Sequence, residues 1–174
     1  MKRTLFIILL SIFCGIAIAQ GTDLRQMSIK ARNRYLVKLA KEVVMHFGPE
    51  YYRTYKKPIV LDPIPFDEEQ YKGRDAKVIK KYSGRRYYRV VIPYDFTKEM
   101  LSKDYAAMVY IWEDDGTPAI VNFGDPDPGF QFLYISYEQR LKDGIPPNMV
   151  KAYMQSSKLK PGDRKEGDLR SWER

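Results

Sequence analysis

The chain has 174 residues, a formal net charge of +8, 14 tyrosines, one cysteine and one histidine. With a single cysteine there can be no internal disulfide framework, and with a single histidine no multi-histidine zinc site. Its length suits one ordinary hydrophobic core.

Residues 1–19 carry Lys2 and Arg3, then the apolar run LFIILLSIFCGIAIA, with Ala17 and Ala19 before Gln20. A basic start, a short apolar core and small residues at the end predict a secretory signal peptide cleaved after Ala19. The alternative is an uncleaved anchor, for which the apolar run is at the short end. Cys14 lies inside this segment behind Phe13 rather than a small residue, which argues against lipidation. Cleavage removes Lys2 and Arg3, so the net charge falls from +8 to +6. The expected product is cysteine-free and periplasmic or secreted. It consists of a single α+β domain over 20–155 and a charged, disordered tail over 156–174.

Leu24, Met27, Ala31, Tyr35, Leu39, Val43 and Phe47 recur at three- and four-residue steps, and Leu36, Ala40 and Val44 widen the stripe. This predicts one amphipathic helix from Asp23 or Ser28 to Phe47, stopped by Gly48-Pro49. Lys30, Arg34, Lys38 and Lys41 line its other side, which reads as a solvated face or a surface for an acidic partner or membrane. EYYRTYKK, over 50–57, allows another helical turn. The proline-bracketed run from Pro58 to Ile64 is at best an edge strand. Residues 65–75 read as a polar loop.

From Ala76 to Tyr94 the sequence reads as a β-hairpin turning at Tyr82-Ser83-Gly84. Val78 would then face Tyr88 and Ala76 would face Val90, with the like charges of Lys80 and Arg86 opposed. The other face of its second strand carries Arg85, Tyr87, Arg89 and Val91, a half-polar set expected to meet solvent or a partner. A second hairpin, Tyr105 to Phe123, turns at Asp114-Asp115-Gly116 and pairs Ala107 with Phe123, Val109 with Val121 and Ile111 with Ala119. A helical turn over 96–102 would join the two. FQFLYISY, from Phe130 to Tyr137, reads as a buried fifth strand. Glu138 to Asp143 is open between strand and helix, and Pro147 to Gln155 reads as a short helix.

The expected fold is therefore α+β, an N-terminal amphipathic helix on a twisted, mostly antiparallel five- to six-stranded meander, with a short C-terminal helix. In layout alone this is similar to cystatin-like and NTF2-like folds, a likeness that carries no function.

His46, at the end of the long helix, suits the negative helix terminus better than a triad, since no nucleophile-elbow pattern is present. Glu113, Asp114, Asp115, Asp125 and Asp127 could supply paired carboxylates for glycoside hydrolysis, but Asp at strand ends is also what turns require. Asp125-Pro126-Asp127-Pro128-Gly129 lacks the later ligands of a calcium loop. No phosphate-binding or dinucleotide fingerprint occurs, and no cofactor or metal is expected.

The positive signal is a basic, tyrosine-rich hairpin. Lys80, Lys81, Arg85, Arg86, Tyr87 and Arg89 are the candidate ligand-binding residues, with Lys77, Tyr82 and Tyr88 beside them. Arginine next to tyrosine suits a carboxylate or phosphate attached to an apolar or sugar face. Protection of a sheet edge by charge is the competing explanation. The function expected is that of a small exported, non-catalytic binding or protein-interaction domain. Its partner would be an anionic envelope component or acidic protein, with nucleic acid disfavoured outside the cytoplasm. The alternatives are a carboxylate-dependent hydrolase of an envelope glycan and a structural part of an envelope assembly.

Overall fold

A computed structural model describes residues 21–71, 73–125 and 129–144. The leader, the helix expected at 147–155 and the tail lie outside them. Helix α1 spans Ile29–Phe47, and the Ser28 side chain accepts from the Ala31 amide at its start. Ser at this position satisfies an amide that the helix itself cannot pair. At the other end Gly48 donates to the Val44 carbonyl and Pro49 begins a 3-10 turn, so the helix stops where expected. Leu36, Ala40, Val43, Val44 and Phe47 are fully buried, whereas Ala31 is exposed. The buried stripe is thus centred on the residues that widened it.

Five antiparallel strands follow in chain order, each beside the next: β1 (Ile59–Pro65), β2 (Arg86–Ile92), β3 (Ala107–Trp112), β4 (Pro118–Phe123) and β5 (Gly129–Gln131). One face, with Tyr88, Val90, Ile92, Ala107, Val109, Ile111, Val121, Phe123 and Phe130, packs with α1 into the main core. Strand alternation sends the neighbouring residues to the opposite face. Among the described residues no helix is long and apolar enough to cross a membrane.

The structure corrects the first hairpin. Ala76–Lys80 is a short helix, α2, whose N-cap Asp75 accepts from the amides of Lys77 and Val78. Helical spacing carries Ile79 into a cluster with Phe66, Tyr71, Tyr87 and Trp112, and it removes the opposition of Lys80 to Arg86. Strand β2 pairs instead with β1, the proline-bracketed edge run, through Val60 to Val90 and Leu61 to Arg89. The register of β1 breaks between Leu61 and Ile64, around Asp62 and Pro63.

In the second hairpin Ala107 pairs with Phe123 and Val109 with Val121, as expected, but Ile111 pairs with Pro118 rather than Ala119. The Trp112 amide donates to Thr117, and the Gly116 amide to Trp112. The loop is therefore one residue longer than read, and a bulge at Ala119 compensates for it. Gly116 has φ +68, and a Cβ there would fall 2.9 Å from the Thr22 carbonyl oxygen. Both conditions favour glycine. The expected fifth strand is shorter than read. After Gln131 the chain turns, burying Phe132 and Leu133, and Ser136 caps helix α3 (Tyr137–Asp143), which settles the open segment as helix.

Candidate functional site

Among the described residues, the sheet face away from α1 is covered at both ends and open in the middle. Segment 66–85 packs over one end, where Tyr82 stacks on Trp112 at 5.2 Å and Phe66 on Tyr71 at 5.2 Å. Val91, Tyr105 and Met108 form a small cluster at the other. Between them, backbone pairing lines up Leu61, Arg89, Tyr110, Ile120 and Gln131 as one row across all five strands.

A cleft of about 300 Å³ opens along this row, lined by Arg89, Tyr110, Ile120 and Gln131. Tyr87, Asn122 and Ile64 flank them from the sheet, and Gln70, Tyr71 and Arg74 close one side. No carboxylate is among the described residues that line it. Arg89 makes no hydrogen bond or ion pair to any described residue, and its Nε is buried without a partner. Arg74 is held by Gln131, Nη1 donating to Oε1 at 2.9 Å, and its guanidinium lies 5.9 Å from the Tyr71 ring.

The phenols sense one another. Tyr87 and Tyr110 meet edge-on at 5.1 Å. Burial, then the neighbouring phenols, push Tyr71 up to about 12. Burial also raises Tyr87 and Tyr110, while the Arg89 charge opposes the shift in both. All three hydroxyls therefore stay protonated at neutral pH and can donate. Asp67 acts on Tyr87 from outside the lining.

Of the residues singled out from sequence, only Tyr87 and Arg89 reach this cleft. Lys80 and Lys81 are exposed at the end of α2. Arg85 is bound to Asp114 and, at 2.6 Å, to Asp115, and it lies 4.2 Å over Trp112. Arg86 donates to the Pro63 carbonyl at 2.7 Å and sits 3.7 Å from Glu113. Tyr88 faces the helix side, beneath Arg32.

Compared with known proteins, the chain matches no family model, no curated protein and no solved structure. Its function has to be read from the chemistry of its own surfaces.

A second, larger hollow of about 630 Å³ lies between α1, the β3–β4 loop and α3. Glu42, Asp115 and Glu138 are in its wall, beside Tyr35, Leu39, Tyr137 and Leu141. Asp115 is already engaged, accepting from Arg85, from the Thr117 amide at 2.9 Å and from the Thr117 hydroxyl at 2.6 Å. Asp125 is buried, with Oδ2 accepting from the Tyr51 hydroxyl at 2.9 Å. Asp127 lies outside the described residues. The turn carboxylates thus serve mostly as internal acceptors. Among the described residues no group of acidic, histidine or cysteine side chains could hold a metal ion.

The residues that sequence reasoning missed are Gln70, Tyr71, Arg74, Tyr110, Asn122 and Gln131. Two had a usable signal. Asn122 interrupts an otherwise apolar strand, and Tyr110 takes the same face as Arg89 once alternation is followed across the pair.

Proposed function

We propose that this protein is a small exported, non-catalytic binding domain that takes an anionic ligand into the cleft on the open face of its sheet. The observation that carries the reading is Arg89, a guanidinium set in a cleft wall without a carboxylate beside it. An unpaired cation partly removed from water is costly, and an anion entering the cleft repays that cost with charge-assisted hydrogen bonds. Arg74 adds a second positive group, and the tyrosyl hydroxyls add neutral donors. Nothing in this lining supplies a general base or a nucleophile with an activating partner, which favours binding over catalysis. The ligand would be an anionic component of the envelope or an acidic side chain on an envelope protein.

Calorimetric titration with a panel of acetate, citrate and inorganic phosphate tests this, using wild type and Arg89→Ala. At least one anion should bind to wild type, more weakly at high salt, and Arg89→Ala should abolish binding while circular dichroism stays unchanged. Equal binding by the variant, or none by wild type, would overturn the reading.

The second reading is a carboxylate-dependent hydrolase. It is favoured by the gathering of Glu42, Asp115 and Glu138 around the larger hollow. It requires that Glu138→Gln abolish a glycan-cleaving activity of the wild-type protein.

A further inference from the structure

Resting on the anion reading above, we infer that the cleft is shaped for a single hydroxylated ring bearing a carboxylate, a hexuronate-type sugar acid. The groups around the two arginines are of mixed hydrogen-bonding character. Gln70 donates through Nε2 to Asp67 at 3.0 Å, which leaves its Oε1 as an acceptor at the cleft wall. Gln131 is the reverse: its Oε1 accepts from Arg74, which leaves its Nε2 as a donor. Asn122 carries both kinds of group, with its side chain already hydrogen-bonded to the Tyr110 hydroxyl. A sulfate presents only acceptor oxygens at its periphery, and a phosphate at neutral pH adds no more than one or two hydroxyls, so both are served mainly by donors. Amide carbonyl oxygens in the wall would face those oxygens lone pair to lone pair. Sugar hydroxyls both donate and accept, and this mixed wall answers them.

The apolar part of the lining points the same way. Ile64 and Tyr110, both half-buried, present C–H and π surface to one face of a pyranose ring, and the buried Tyr87 and Ile120 back them from the sheet. The volume of about 300 Å³ is at the lower end for small-molecule sites and has room for one ring rather than a chain. Arg89, next to the central Tyr110 of the row, takes the carboxylate, while Arg74, already shared with Gln131, lies at the margin. The ring carboxylate could belong to a free sugar acid or to the terminal residue of an acidic glycan, since only one ring has to enter.

The test is an NMR titration of the 15N-labelled protein with sodium glucuronate, glucose, acetate and inorganic phosphate, followed by a uronate trisaccharide. Glucuronate should bind about tenfold tighter than the other three small probes, a margin that needs only one or two additional good hydrogen bonds. Shifts should centre on Arg89, Tyr110, Asn122 and Gln131. Asn122→Ala should bring glucuronate down to the acetate level and leave acetate unchanged. Trisaccharide affinity equal to or above that of glucuronate identifies a glycan end, and weaker affinity identifies the free acid. If glucuronate binds no better than acetate, or phosphate binds best, the sugar assignment fails and the anion reading survives. If no anion shifts these residues, both fail.

Discussion

The guanidinium of Arg85 lies 4.2 Å from the centre of the Trp112 indole while binding the carboxylates of Asp114 and Asp115. One side chain thus fastens the β3–β4 loop to the aromatic cluster that closes one end of the open face. Arg85→Ala should destabilise the fold by about 2 kcal/mol, since it leaves two carboxylates and an aromatic face without their cation. Urea denaturation followed by Trp112 fluorescence would measure it. Arg89→Ala should change stability little or favourably, because no partner is lost. The opposite ranking of the two variants would contradict the division of roles between these neighbouring arginines.

Gly48 is required by contact rather than by torsion. Its φ of −167 is open to any residue, but a Cβ there would fall 2.6 Å from Cε1 and Cζ of Phe123. That ring is buried and stacked on Tyr51 at 4.8 Å, so it has no room to retreat. Gly48→Ala should cost roughly 1–3 kcal/mol in chemical denaturation, as overpacking of a filled core does.

Tyr51 and Asp125 form a buried pair whose carboxylate has one oxygen, Oδ1, without a hydrogen bond. Removing the phenol donor to that carboxylate with Tyr51→Phe should cost on the order of 2–3 kcal/mol, the penalty for a buried acceptor left unsatisfied. The double variant Tyr51→Phe with Asp125→Leu should recover part of the loss, since removing both partners also removes the unmet acceptor. A single variant as stable as wild type in urea would refute the assignment.

Alkaline pH should unfold the protein in a defined direction. Burial raises Tyr71 and Tyr137 to about 12 from an ordinary value of 10.0. A phenol whose pKa is raised in the folded state contributes stability that is intact below pH 10. The contribution is lost as pH rises towards 12, because the unfolded chain gives up its proton first. Tyr71, nearly buried, alone accounts for about 2 kcal/mol of this. Absorbance titration near 295 nm should show a delayed, cooperative tyrosinate transition coinciding with loss of far-ultraviolet circular dichroism. A gradual titration centred at 10 with the fold intact would contradict it.

The long helix and the second hairpin were legible in sequence because single devices with strong local preferences mark them: Ser28 and Gly48 for the helix, Asp-Gly for the turn. The Ala107–Phe123 and Val109–Val121 pairs followed from matching apolar faces. The segment from Ala76 to Lys80 was misread because Val78 and Ile79 suit a strand by residue type, while the helix depends on the Asp75 cap and on a pocket for Ile79 that only the folded chain supplies. The cleft was half legible for a similar reason. Arg89 and Tyr87 stand on one strand and could be seen together. Arg74, Gln70 and Gln131 come from 13 or more positions away and meet them only through the folding of segment 66–85 over the sheet and the order of the strands. Density of positive charge pointed to Lys80, Lys81, Arg85 and Arg86, yet of the arginines in this stretch it is Arg89 that the fold leaves with a buried, unpartnered Nε, which composition does not reveal.

The break in β1 around Asp62 and Pro63 bears on how this molecule can meet others. A proline lacks the amide needed to continue a ladder, and the kinked register there spoils the straight row of donors and acceptors that an incoming chain would copy. At the far margin β5 offers only three residues. Both flanks thereby discourage strand-by-strand polymerisation.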